Sequence, residues 1–237
     1  ADLADAADKI MRSKTFDHAT SCSTENSVAI QADVYDKMLE ELDKVGGYLC
    51  SAEEKVKLEA AMWNEKGLNR DIVAQPAARI AEIAGIDLPA GKSFLMAEET
   101  GVGKEFHFSG EKLSVVVAIY KWNEFSDAVD LVNRITTYSG AGHSCGIHTA
   151  LDERIYELAS KVKVSRVMIC QPQCLANSGA WTNGMPMSLT LGCGSWGGNS
   201  ASSNITYEHL LNYTWVSKPI PSTQPTDEEL FGDVMNE

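Results

Sequence analysis

The run LSVVVAIY at positions 113–120 narrows the possible folds more than any other stretch of the chain. It is apolar almost throughout, so it reads as a buried strand, and short strands and helices alternate around it. SFLMAEE (93–99) precedes it, and FSDAVDLVNRITTY (125–138), CGIHTAL (145–151), IYELASKV (155–162) and RVMICQ (166–171) follow. Strands separated by helices of roughly 8–14 residues predict an α/β domain with a largely buried sheet.

Upstream, Leu3, Ala6, Ala7, Ile10 and Met11 fall on one face of a helix over 2–14, and SVAIQ (27–31) is a short strand. VYDKMLEELDKVGG (34–47) predicts a helix closed by glycines. SAEEKVKLEAAMWNEKG (51–67) predicts another, opened by a Ser51–Glu54 capping box and ended at Gly67. Downstream, MSLTLGCGSWGGNSASSN (187–204) reads as a strand running into a glycine loop, HLLNYTWVSKPI (209–220) as containing a β-branched and aromatic strand, and the remainder as an acidic tail. With no internal repeat or low-complexity linker, the expected division is a main domain over 1–205, a strand arm over 206–220 and a tail over 221–237.

Charge and cysteine content exclude several functions. A formal charge of −13 without a local Lys/Arg cluster repels polyanions, so nucleic acid is not an expected partner. The absence of an apolar run of about 18 residues argues against a membrane span. Six cysteines in 237 residues are too few for a disulfide framework, which points to a reduced, cytoplasmic setting. ADLADAADKIM is not a secretory signal, and a start at Ala1 within a helix suggests a fragment, a processed product or a trimmed chain.

Four pieces could carry chemistry. Cys22, in FDHATSCSTENSVAI, stands where a helix gives way to a strand, a corner accessible enough for a nucleophilic, partly ionised thiol; the alternative is a buried filler. GAGHSCGIHT (140–149) offers His143 as a general base facing a pocket, or as a half-buried histidine. A metal site there would need His143, Cys145 and His148 to converge, which strand alternation opposes, so no metal is expected. Cys170 and Cys174 have the wrong spacing for a redox or zinc pair. GCGSWG (192–197) fits a dinucleotide fingerprint formally, but poor helix material follows it, so these glycines should let backbone pass close to another element or line a cleft. Glu111 stands directly before the buried strand.

Taken together, SKTFDHATSCSTENSVAI, GEKLSVVVAIY, GAGHSCGIHT and MSLTLGCGSWGGNS resemble the CoA-acylating branch of the aldehyde dehydrogenase superfamily over residues 1 to about 220. That branch includes the aldehyde dehydrogenase half of aldehyde–alcohol dehydrogenases and the acyl-CoA-forming succinate-semialdehyde and sulfoacetaldehyde dehydrogenases. The resemblance implies a three-layer α/β/α catalytic domain with a C-terminal oligomerisation strand, in a homodimer or higher homo-oligomer. It implies oxidation of a short-chain aldehyde to an acyl-CoA with NAD or NADP and coenzyme A. Cys22 would form the thiohemiacetal and thioester, His143 would serve as base or in acyl transfer, and Glu111 would bond the nicotinamide ribose.

Val115 and Ser144 stand where relatives commonly have Pro and Thr, which leaves Glu111 and His143 in place. Relatives also carry a further upstream half with most of the dinucleotide-binding domain, so this chain alone is expected to bind NAD weakly and to be inactive. Arg166 or Lys112 could receive an anionic aldehyde, or be ordinary surface charges. Two other functions compete: a non-catalytic scaffold or oligomerisation fragment, and a hydrolytic aldehyde dehydrogenase. The GH and GCGSWGGN signatures oppose the second.

Overall fold

The computed structural model describes residues 1–65 and 67–235. The chain divides into two compact units, Ala1–Thr206 and Tyr207–Glu237.

The first unit opens with helix α1 (Leu3–Thr15), started by the Asp2 side chain accepting the Asp5 N–H. Its apolar stripe buries Ala6, Ala7 and Ile10. Just beyond, Asp17, His18 and Ala19 hold φ values of 48°, 49° and 61°. Three consecutive non-glycine residues in the left-handed region are strained, and they turn the chain sharply toward strand β1 (Ser27–Gln31).

Helix α2 (Tyr35–Lys44) ends before Gly46, which adopts φ 101° and leads into strand β2 (Gly47–Leu49). Helix α3 (Ala52–Met62) starts with the expected capping box: Ser51 Oγ accepts the Glu54 N–H at 3.3 Å and Glu54 Oε2 accepts the Ser51 N–H at 2.8 Å. It does not run to Gly67. Trp63 instead stacks on His107 and meets Phe108 edge-on. That draws the chain into a short antiparallel pair, β3 (Trp63–Asn64) and β4 (Gly67–Leu68).

Helix α4 (Ala77–Ala84) leads to strand β5 (Phe94–Glu98), and strand β6 (Val116–Trp122) follows. The main sheet has the order β1-β6-β5-β2 with every pairing parallel, for example Ser27 opposite Ala118 and Leu95 opposite Val116. Phe94–Ala97 and Val116–Tyr120 are wholly buried, as parallel strands covered by helices require. Helix α1 packs on β5 and α2 on β1 and β2. Helix α5 (Phe125–Tyr138), with the predicted bounds, packs on β6.

A second, two-stranded parallel sheet joins β7 (Cys145–Ile147) to β8 (Val167–Ile169) across helix α6 (Asp152–Lys161), and α7 (Gln173–Asn177) follows. Val129, Leu158, Val162 and Val164 form a separate small apolar cluster beside it. Strand β7 is much shorter than the predicted 145–151. The strand expected at the start of 187–204 is reduced to one isolated pairing, Leu191 with Asn204.

In the second unit a single turn spans Tyr207–Leu210, residues 211–226 form no regular element, and helix α8 (Asp227–Met235) closes the described chain. The strand expected within 209–220 is therefore not formed: a strand exists only through hydrogen bonds to a neighbour, and Tyr213, Trp215, Val216 and Ile220 stay exposed. The tail contains a helix the sequence did not announce, capped by Thr226 and Glu229. No helix among the described residues is long and apolar enough to cross a membrane.

Candidate active site

Cys22 and Glu111 lie on the segments that lead into two adjacent strands, β1 and β6, and the sheet register therefore brings them together. Asn26 stitches the two segments: its Oδ1 accepts the Lys112 N–H at 3.0 Å and its carbonyl accepts the Ala118 N–H at 3.0 Å. The Glu111 N–H donates to Ser139 Oγ at 3.1 Å, tying the same place to the end of α5, from which the chain enters the glycine turn before His143. Cys22, Glu111 and His143 thus line one cleft of about 740 Å³, with Leu131, Val132 and Ile135 on its apolar side.

His143 Nε2 stands 3.1 Å from Cys22 Sγ, and its Nδ1 is 2.8 Å from Ser144 Oγ. With Nδ1–H donating to Ser144, the free Nε2 faces the thiol as an acceptor. The field favours this neutral form. Burial first, then the Glu111 carboxylate, push the Cys22 thiol up, and Cys193 adds to the rise; the Cys22 backbone N–H and Arg166 pull it down less strongly. Burial and Arg166 push the His143 imidazole down, toward its uncharged state. The expected partly ionised thiol is therefore replaced by a protonated thiol beside a neutral base. Such a pair can transfer its proton as the sulfur attacks.

Backbone packing fixes His143. Gly142, at φ 77°, lies so close to the glycine loop that a Cβ there would sit 1.9 Å from the Cys193 carbonyl oxygen. The glycines of 192–198 thus let backbone pass against backbone, as expected, and a Cβ at Gly192 would meet the Ala201 carbonyl at 2.3 Å.

Arg166 and Lys112 differ from both expectations, being buried and already engaged. Lys112 Nζ donates to the Phe108 and Gly110 carbonyls at 2.5 and 2.7 Å. The Arg166 guanidinium donates to Asn204 Oδ1 and to the His143 and Gly192 carbonyls. Neither charge is free for an anionic substrate.

His148 lies beyond the end of the short strand β7 and lines the same cleft as His143, contrary to the alternation expected for a longer strand. Among the described residues no group of three or more His, Cys, Asp or Glu is placed to hold a metal ion. Cys174 packs on α1, its N–H donating to Ser13 Oγ and its thiol to the Ser13 carbonyl.

The sequence did not single out Asn26 or Ser139, and it marked Ser144 only as standing where relatives commonly have Thr; their hydroxyl and amide roles depend on long-range placement. Nor did it single out Lys14 and Glu25, two partly apposed charges beside the corner. Lys14 is fully buried with no partner at Nζ, and burial pushes it down to about 7. Burial pushes Glu25 up to about 7, while the Gln173 N–H donates to its Oε1 at 3.1 Å.

No family model matches the chain. It is 47% identical over its whole length to a sulfoacetaldehyde dehydrogenase from an Acholeplasma species, covering 50% of that protein. It is 44% identical, over 98% of its length and 48% of the relative's, to an acylating sulfoacetaldehyde dehydrogenase from Cupriavidus necator. The crystal structure of an acetylating aldehyde dehydrogenase from Geobacillus thermoglucosidasius matches 94% of the chain and 50% of that protein at 34% identity, with a TM-score of 0.88. The chain spans about half the length of the curated relatives it matches.

Proposed function

The chain belongs to the acylating aldehyde dehydrogenase family, and from this we propose that it is the nucleophile-bearing part of an enzyme that oxidises a short-chain aldehyde to an acyl-CoA. The observation that carries this is the 3.1 Å approach of His143 Nε2 to Cys22 Sγ in an open cleft.

As Sγ attacks the aldehyde carbon, a C–S bond forms, the thiol proton passes to His143 Nε2 and the carbonyl electron pair moves to oxygen, giving the oxyanion of a thiohemiacetal on Cys22 beside a protonated His143. The Cys22 N–H, which favours negative charge at the sulfur, would favour it on the neighbouring oxygen as well. A bound nicotinamide, NAD or NADP, would supply the hydride acceptor, and bound coenzyme A the thiol that carries the acyl group away. His143 is the group within reach to move protons at that sulfur in both half-reactions.

The residues present fit both groups. Glu111 is exposed on the cleft, and among the described residues its carboxylate makes no hydrogen bond or ion pair, so its oxygens are free to accept from ribose hydroxyls. A partly apolar cleft of about 740 Å³ suits a nicotinamide ring or a pantetheine arm. All six cysteines are free thiols, which supports a reducing, cytoplasmic setting. The exposed aromatic and β-branched side chains over 207–220 support assembly into a homo-oligomer through that segment.

The test is an assay of the protein that carries this chain against a panel of short aldehydes, with and without coenzyme A. Reduction of nicotinamide that needs coenzyme A and disappears in Cys22→Ser is expected. A Cys22→Ser variant that forms thioester at the unaltered rate would refute the assignment of Cys22, whereas no aldehyde-dependent reduction by the unaltered protein would favour a scaffold function.

A further inference from the structure

Arg166 forms a buried polar site that ties several parts of the first unit together. It is 4% exposed, and its three donors go to three different parts of the chain: Nε to Asn204 Oδ1 at 2.7 Å, one terminal nitrogen to the His143 carbonyl at 3.3 Å, and the other to the Gly192 carbonyl at 2.9 Å. Asn204, 2% exposed, passes the restraint on, donating to the Asn177 and Pro186 carbonyls at 2.9 and 2.8 Å. The Arg166 main chain adds a fourth tie by accepting the Cys145 N–H at 3.0 Å. The turn bearing His143, strand β7, the glycine loop and the segment after α7 are thus all tied to Arg166 directly or through its partner Asn204. A planar fork with fixed donor directions can hold several carbonyls at once, which an ammonium cannot.

We propose that Arg166 is the positioning residue of the Cys22–His143 pair: by clamping the His143 and Gly192 carbonyls to Asn204 it sets the approach of the imidazole to the thiol, and it places one fixed positive charge beside both groups. This rests on Cys22 being the nucleophile, and it adds a device that neither the resemblance nor the relatives' names assign. The charges facing the pair are Glu111, which disfavours the thiolate, Cys193, which does so more weakly, and Arg166, which favours the thiolate and disfavours the imidazolium. Among these only Arg166 is a permanent cation.

The sign of its effect follows. A thiol and an imidazole in contact titrate as a pair in two steps, and each step releases a proton from beside the guanidinium. Removing the guanidinium charge therefore moves both steps to higher pH.

The experiment is alkylation of the chain by iodoacetamide from about pH 5 to 11, with Cys22 modification followed by mass spectrometry and the His143 ring followed by NMR. In Arg166→Met both midpoints should move to higher pH, and labelling at pH 7 should fall roughly threefold or more. In Arg166→Lys, which keeps the charge but not the fork, the midpoints should return toward those of the unaltered chain while maximal labelling stays reduced. Should Arg166→Met not fold, the Lys variant decides: native midpoints and native maximal rate together would overturn the proposal. A folded Met variant with unmoved midpoints would overturn it as well. If instead Cys22 of the unaltered chain labels no sooner than the other cysteines, the assignment of the nucleophile fails, whatever the Arg166 variants show.

Discussion

The parallel sheet and the loop cluster around His143 are held by opposite means. In the sheet, Phe94–Ala97 and Val116–Tyr120 are buried side by side, and stability comes from apolar area removed from water, about 25 cal/mol per Å² and insensitive to pH. In the loop cluster, three backbone segments approach so closely that Gly142 and Gly192 admit no Cβ, and one buried guanidinium holds the carbonyls. Contacts of the first kind degrade gradually, because neighbouring side chains can partly fill a gap. Those of the second kind fail abruptly, because a lost donor leaves a buried carbonyl unpaired. The sheet supplies a rigid base, and the loops fix the distance between His143 Nε2 and Cys22 Sγ.

This contrast can be broken at several points. Cys22→Ser should lower acyl-CoA formation by roughly a thousandfold or more while leaving the melting temperature nearly unchanged, since the side chain is exposed. Phe94→Ala, at a fully buried position in the sheet, should cost about 3–5 kcal/mol in denaturant unfolding. Its Cys22 labelling profile against pH should stay in place; a shifted profile would mean that sheet and site are not separable in this way.

Lys14→Met sharpens the comparison through pH. The folded-state value of about 7 lies below the ordinary 10.5, so the unfolded chain binds more protons between those values and stability rises with pH across that window. Below about pH 7 the burden of burying the charge is complete. The Met variant should therefore gain a few kcal/mol at neutral pH and lose the rise above it. Glu25 has the opposite sign: with its value raised to about 7, its contribution is full below pH 4.5 and is lost as pH climbs to 7. Unfolding curves at pH 5, 7 and 9.5 for both proteins check both signs.

Gly142→Ala should destabilise by about 2–3 kcal/mol and slow Cys22 labelling, because the added methyl displaces the turn that carries His143. The smallest effect is expected at His18, an exposed residue at φ 49°: His18→Gly should gain about 1 kcal/mol by relieving left-handed strain. A loss there would show that the corner is held by contacts of the His18 side chain.

Much of this was legible in the chain itself. The apolar run before Tyr120, the α5 boundaries at Phe125 and Tyr138 and the capping box at Ser51 are local patterns, and local physics decides them. Cys22 could be marked as a candidate nucleophile, with a buried filler as the alternative, because a thiol on a corner between small polar residues is a local feature too. The sequence overextended wherever a neighbour was needed. Helix α3 yields at Trp63 to ring contacts with His107 and Phe108, and the segment 209–220 pairs with no strand among the described residues.

The sequence by itself determined the α/β layout, the glycines that could permit close approach, and which residues had chemistry to offer. Only the tertiary structure decided that Cys22 and His143, 121 positions apart, meet at 3.1 Å, that their field favours the neutral pair, and that Arg166 is a clamp and not a surface charge. The reason is physical: propensity and periodicity act over a few residues, whereas hydrogen-bond partners and desolvation are set by whatever the fold brings alongside.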